Sequence, residues 1–410
     1  MTDTEGPDTE GREGRSPGTR AGERIGTLDA LRGFAIIGIL LVNIRLFRGP
    51  VDPAAELPEL ERYLNAAITV LAEGKFISAL AFLFGVGFAI QTAGAERRGE
   101  SPRGLLARRL TGLFLFGAAH AVFIWSGDIL LTYAILGFAV LPLLRLPPRA
   151  LLVWAAGILL AGPALLVLAG SGIFSALSSV APAAAEQVAQ LAFPGDLTGP
   201  ALAAYASGGY GEMTVQRLRE LLSFYLAYGF ATTAPQVVAM LLLGLAAVRA
   251  GWVRDPRSHA RGILGVAAAG LAVGVPLNLY HVLGDAGFGG SALVWPGEAA
   301  LYLGAPALSL GYLGLAALLF GRFPDSLPTR RLSEVGRMAL TNYLLQSVVL
   351  TAIFYGLRLY GEVGLPAALG LCLVTYAINF AVSYLWLSRY ANGPTEWLWR
   401  RLTYAGRARG

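Results

Sequence analysis

The sequence predicts an all-α fold: a polytopic transmembrane helical bundle of about ten spanning helices, with both termini cytoplasmic. Three observations lead there. Hydrophobic residues make up 55% of the chain and charged residues only 14%, against roughly 25% in an ordinary soluble domain. Apolar runs close to the ~20 residues that span a bilayer recur along the chain. Arginines cluster in every second gap between those runs.

Residues 1–24 are polar and nearly free of large apolar side chains, so they predict a disordered cytoplasmic tail. They do not read as a signal peptide, because no short apolar core with a small-residue cleavage site follows them. The bundle is predicted over 25–390 and an interfacial cytoplasmic tail over 391–410. Its ten apolar runs are 29–47, 76–93, 110–124, 129–145, 150–169, 222–248, 260–280, 298–320, 337–358 and 366–388. The third and fourth are short and joined by Trp125-Ser126-Gly127-Asp128, which predicts a helical hairpin turning at the membrane surface. The sixth contains Pro235, which predicts a kink or a preceding interfacial turn. Residues 170–220 form an outer segment with room for short surface helices. Gly393 to Tyr404 reads as a short interfacial helix, a membrane anchor rather than a catalytic element.

Orientation follows from the charges. With the N-terminus cytoplasmic, 24 arginines fall on the inner side. Only seven cations fall outside: Arg45, Arg48, Arg62, Lys75, Arg217, Arg219 and Arg358. The net charge of +6 and pI near 9.5 therefore read as topology signals, with no call for nucleic acid. The single cysteine, Cys372, excludes an internal disulfide and a multi-cysteine metal site, and the three histidines lack zinc-binding spacing. The expectation is a protein of a lipid bilayer with no metal.

Ionisable groups at membrane depth usually face a bundle interior. Arg109 and His120 are separated by ten residues. Eleven helical steps return to within roughly 20° of one face and rise about 16 Å. The guanidinium would sit at the cytoplasmic mouth, suited to phosphates, and the imidazole in the outer half, suited to general-base work. A topology arginine and a packed histidine fit the same spacing. Asp128 either caps the fourth spanning helix or orients His120. Tyr133, just over one turn on, is placed to reach the same site, and Trp125 lies in the same hairpin. Asp29 caps the first helix and is spaced to pair with Arg32, with Asn43 eleven residues further on the same face. Asn43 offers either an interhelical hydrogen bond or a ligand contact. Lys75, the only lysine, either snorkels to the headgroups, binds an anionic acceptor or pairs with Asp128. Asn342 and Gln346, like Asn379 and Ser383, are four apart and read mainly as interhelical glue.

The run from Leu28 to Ile44 resembles the first helix of the YeiB-like bacterial membrane proteins. So does the stretch from Gly117-Ala118-Ala119-His120 to Trp125-Ser126-Gly127-Asp128-Ile129-Leu130. Gly336 to Ser347 and the Gly393–Tyr404 tail resemble that family's C-terminal domain of unknown function, family 418. The family is in turn distantly similar to membrane-bound acyltransferases, the acyltransferase-3 group and heparan-alpha-glucosaminide N-acetyltransferase. The former share an arginine–ten residues–histidine pattern, matched here by Arg109 and His120. The resemblance implies a multi-pass protein of the bacterial plasma membrane that moves an acyl group from cytoplasmic acyl-CoA, acetyl-CoA for example, to an extracytoplasmic small-molecule, glycan or lipid acceptor. His120 and Asp128 would be catalytic. Arg109, Arg32 and Asp29 would hold the donor, and Lys75, Asn43, Trp125, Tyr133, Asn342 and Gln346 would lie on the substrate side. A transporter or flippase using the same polar interior is the competing expectation, although no paired broken helices in two repeated halves are visible. A non-catalytic scaffold is the third.

Overall fold

A computed structural model describes residues 17–50, 58–168, 179–181, 198–226, 228–253, 256, 258–285 and 294–404. Residues 1–16, most of the outer segment before 198, and 405–410 lie outside them. The described residues form helices joined by short turns, without strands. Nine of its helices are long and apolar enough to cross a membrane, and Leu130–Arg145 adds a shorter apolar one. The ten expected runs are thereby accounted for, and the chain is an integral membrane protein.

Helix α1 (Pro17–Phe47) starts earlier than expected: the helical backbone runs back through residues assigned to the disordered tail. Helix α2 (Glu59–Leu71) lies ahead of α3 (Lys75–Arg97). Gly74 joins them at φ 75°, a left-handed turn that a side chain would resist. Helices α4 (Pro102–Phe123) and α5 (Leu130–Val140) form the expected hairpin, and a 3₁₀ turn over Leu141–Arg145 completes α5. Helix α6 (Pro148–Val167) presents Val153, Trp154, Leu160 and Leu165 outward, as a lipid-facing helix does.

Helix α7 (Tyr210–Leu226) and the spanning helix α8 (Tyr228–Arg249) cover the sixth apolar run on either side of residue 227, which lies outside the described residues. Pro235 lies inside α8. Helices α9 (Ala260–Asp285) and α10 (Val294–Arg322) pack along one another. Helix α11 (Leu327–Arg337) crosses α1, then α12 (Ala339–Thr351) and α13 (Leu365–Leu387) cross the membrane. Helix α14 (Pro394–Tyr404) closes the chain.

Lipid is as apolar as leucine, so close packing rather than hydrophobic driving force joins these helices. The α1–α11 crossing shows how. A Cβ on Gly33 would stand 2.0 Å from the Leu332 carbonyl oxygen, and one on Gly336 would stand 1.7 Å from that of Asp29. Only two glycines allow that approach. It sets α11, and the α12–α14 region that follows, against the arginine-rich end of α1.

Candidate functional site

Ser101 starts α4 by accepting the Gly104 N–H at 3.3 Å, with Pro102 in the first turn. Near the other end, Gly117 lets the beginning of α5 come within backbone contact: a Cβ there would lie 2.3 Å from the Leu131 nitrogen. The hairpin therefore folds Asp128 back over the last turns of α4. Its Oδ2 meets His120 Nδ1 at 2.6 Å, with side-chain exposures of 1% for the histidine and 0% for the aspartate. Its Oδ1 accepts the Leu131 N–H at 2.6 Å. The two sequence readings of Asp128 are thus not alternatives, since one carboxylate caps α5 and holds the imidazole.

An ionised carboxylate only accepts, so Nδ1 carries the proton and Nε2 presents its lone pair. Nε2 is buried and meets no partner among the described residues. Tyr343 lies 5.3 Å from the ring and Trp125 6.5 Å from it, centroid to centroid. Ile129 N–H donates to the Tyr343 hydroxyl at 3.2 Å. Burial pushes the Asp128 carboxyl above the usual carboxylate range, against the opposing pull of His120 and of the Leu131 and Leu130 N–H groups.

At the arginine-rich end of α4, the Arg109 guanidinium lies 4.0 Å from the centroid of the Trp399 ring. Trp399 Nε1 donates to the Arg109 carbonyl at 2.8 Å. Arg32 and Arg400 lie within electrostatic reach of Arg109. Arg32 donates to Asp29 at 2.8 Å and keeps 35% side-chain exposure. It also faces Gly87 on α3, where the missing side chain leaves room, since a Cβ would stand 4.0 Å from Nη2. Next to it, the Gln91 Oε1 is buried without a partner among the described residues. The result is a cationic mouth in which Arg109 meets both the Trp399 ring and the Tyr404 hydroxyl of α14.

Trp399 and Arg400 come from α14, for which the sequence predicts an interfacial anchor. The structure docks it on α4 and α12. Glu396 fastens it: Oε1 accepts the Leu340 and Thr341 N–H groups at 2.7 and 3.0 Å, and Oε2 accepts the Thr341 hydroxyl at 2.5 Å. It caps another helix in trans. Its own sequence position, in the first turn of α14, signals only a local dipole contact.

The other expected site residues are dispersed. Lys75 is fully buried and neither snorkels nor pairs with Asp128. Its Nζ donates to the Thr69 carbonyl at 2.6 Å and to Asn278 Oδ1 on α9. Beside it, Arg45 pairs with Glu73 at 2.7 Å. Tyr133 donates to the Ile77 carbonyl at 2.6 Å and stacks on Phe84, which directs it towards α3. Trp125 stacks on Phe47 at 4.1 Å. Asn43 is buried and makes no hydrogen bond among the described residues. The Asn342 amide donates to Ser383, that of Gln346 to Asn379, and that of Asn379 to Asn342, a ladder between α12 and α13. A hollow of 360 Å³ lined by Thr111, Phe114, Ile135 and Phe138 lies between α4 and α5, and no dyad residue lines it.

Residues 247–406 match the model of a family described as a protein of unknown function, DUF418. The chain is 34% identical over 406 residues to the uncharacterized protein YxaH of Bacillus subtilis, covering 94% of this chain and 96% of that one. It is 30% identical over 400 residues to the uncharacterized protein YeiB of Escherichia coli, covering 93% and 96%. No solved structure matches it significantly. The chain belongs to the YeiB-like family of membrane proteins that carry DUF418.

Proposed function

We propose that this protein is an acyltransferase of the bacterial plasma membrane, moving an acyl group from cytoplasmic acyl-CoA to a hydroxyl or amine acceptor at the outer face. One observation carries the reading. His120 is buried, its Nδ1 is held by a carboxylate, and its Nε2 is left without a partner among the described residues. A packing histidine would have both nitrogens satisfied. A general base needs this arrangement, with one nitrogen fixing the tautomer and the other open towards substrate.

In the reaction, Nε2 takes the proton of the acceptor hydroxyl or amine as its oxygen or nitrogen attacks the thioester carbonyl carbon. The carbon–sulfur bond breaks, the acyl group stays on the acceptor, and the imidazolium returns the proton to the departing thiolate. Asp128 offsets the charge that appears on the ring. The cationic mouth of Arg109, Arg32 and Arg400 is suited to the donor's phosphates.

The test is acetyl-CoA binding and slow thioester cleavage by the detergent-purified protein, beside His120→Ala and Arg109→Ala. The expected result is saturable binding lost with Arg109, and cleavage reduced by about 10²–10⁴ with His120. Wild-type cleavage by folded His120→Ala would refute the histidine's role.

A transporter is the second reading, favoured by one observation: the buried Lys75 lies in a polar network with Asn278, and Glu73 there also feels His281 and Arg45. Substrate movement across a proteoliposome membrane without thioester consumption would support it over transfer.

A further inference from the structure

Arg217 is 1% exposed, and no carboxylate lies within 4.0 Å of it among the described residues. That sets it apart from half-buried Arg45 and buried Arg48 at the same end of the bundle. Arg45 pairs with Glu73 at 2.7 Å and Arg48 with Glu61 at 3.5 Å. Arg217 Nη1 donates to the Phe123 carbonyl at 3.3 Å, and the Tyr210 ring stands 5.4 Å from the guanidinium. Its Nε is buried and has no acceptor among the described residues, nor has the neighbouring Gln216 Oε1 a donor among them. Glu220, one turn on, leaves that need unmet. Its carboxylate is engaged by three neutral donors, Ser126, Tyr205 and Gln216. A buried guanidinium with an open donor is costly to keep for packing alone.

Its place in the fold is informative. Helix α7 lies along the turn that carries the dyad. Tyr210 donates to the Phe123 carbonyl at 2.8 Å, Glu220 accepts from Ser126, and Tyr225 meets the Thr132 hydroxyl at 2.9 Å. Arg217 therefore reaches the backbone one helical turn beyond His120, on the outer side. Stacked Tyr205 and Tyr355, 4.4 Å apart, stand within its electrostatic reach.

We infer that Arg217 forms an oxyanion-binding subsite over the dyad, taking an oxygen of a carboxylate or phosphate on its Nε edge. Assigning that anion to the acyl acceptor rests on the acyltransferase reading; the binding site itself does not. The acceptor would then be an anionic molecule, such as an acidic glycan or a phospholipid headgroup. A guanidinium matches such groups in both charge and fork geometry.

The test uses the full chain without acyl-CoA. Inorganic phosphate is titrated calorimetrically into the protein in neutral detergent, with chloride at equal ionic strength as the control. Thermal unfolding is measured in nanodiscs of phosphatidylcholine with and without phosphatidylglycerol. Saturable phosphate binding, weakened roughly ten- to a hundredfold in Arg217→Gln and partly restored in Arg217→Lys, supports a site for soluble anions. Stabilisation by phosphatidylglycerol alone, lost in Arg217→Gln, supports a lipid headgroup. A wild-type chain that responds to neither probe overturns the inference, as does a folded Arg217→Gln that responds like wild type. If the glutamine variant does not fold, the wild-type titrations and Arg217→Lys still decide, because an undiminished affinity in the lysine variant removes the fork geometry from the argument. Phosphate binding without thioester cleavage would keep the subsite and remove the acyltransferase reading; cleavage without anion binding would do the reverse.

Discussion

Replacing Asp128 with Asn separates its two structural jobs. The amide oxygen still accepts the Leu131 N–H, now met at 2.6 Å, so the cap on α5 survives. The amide NH₂ then faces His120 Nδ1, which can satisfy it only by accepting. The imidazole proton moves to Nε2, and the base disappears while the fold remains. A general base contributes about 10²–10⁴, and a reversed tautomer in a buried carboxylate–histidine pair costs up to roughly 10⁴. Asp128→Asn is therefore expected to lower single-turnover acetyl-CoA cleavage by about 10³, with unfolding free energy within about 1 kcal/mol of wild type. Asp128→Ala differs in kind. It removes the cap, about 1 kcal/mol, and leaves a buried Nδ1–H unpaired, about 1–3 kcal/mol, so it lowers stability as well as rate. Cleavage kinetics paired with thermal unfolding for both variants distinguish the two effects. A folded Asp128→Asn protein that cleaves within tenfold of wild type would reduce Asp128 to a helix cap and remove the tautomer argument.

Three further outcomes are expected. Trp399→Ala removes the aromatic face under Arg109, so acetyl-CoA affinity should fall about 2- to 30-fold with the cleavage rate of bound donor unchanged; an unchanged Kd would exclude α14 from the donor mouth. Lys75→Met leaves Asn278 Oδ1 and the Thr69 carbonyl without their donor, which should cost roughly 1–3 kcal/mol in denaturant unfolding while thioester cleavage persists; lost cleavage in a folded protein would return Lys75 to the site. Burial lifts the Glu396 carboxyl above its ordinary value of 4.5, so the folded chain keeps that proton to a higher pH than the unfolded chain. Stability should therefore fall as pH rises from that ordinary value through the raised one. Glu396→Gln keeps an oxygen for the Leu340 and Thr341 N–H groups but has no such slope, and parallel unfolding profiles for the two proteins would contradict the assignment.

What the sequence makes legible is what one helix or one turn determines. A spanning run depends on composition over ~20 residues, so the ten runs were readable without knowing any neighbour. Asp128 follows His120 by eight residues across a four-residue joint, so their meeting was at least visible as a possibility. Lys75 shows where such reading stops. Its partner Asn278 lies about 200 residues on, and nothing near Glu73-Gly74-Lys75 distinguishes a snorkelling lysine from a buried one.

The same logic explains why the residues sequence reasoning missed belong to helices other than α4. Trp399, Arg400 and Glu396 gain their roles only because α14 docks on α4 and α12. That docking follows α11, which can approach α1 only through Gly33 and Gly336. A glycine in an apolar helix carries no local signal of the element it will meet. Arg217 looked like one of seven outer-side topology charges, and its position in an amphipathic helix would suit a surface residue. Its burial depends on α7 lying over the turn that Gly117 allows to close. The two ends of α4 are thus completed by separate parts of the chain, α14 at the arginine-rich mouth and α7 at the dyad. Donor affinity and anion binding should therefore respond to mutations in different helices, and a Trp399 variant should leave the Arg217 response unchanged.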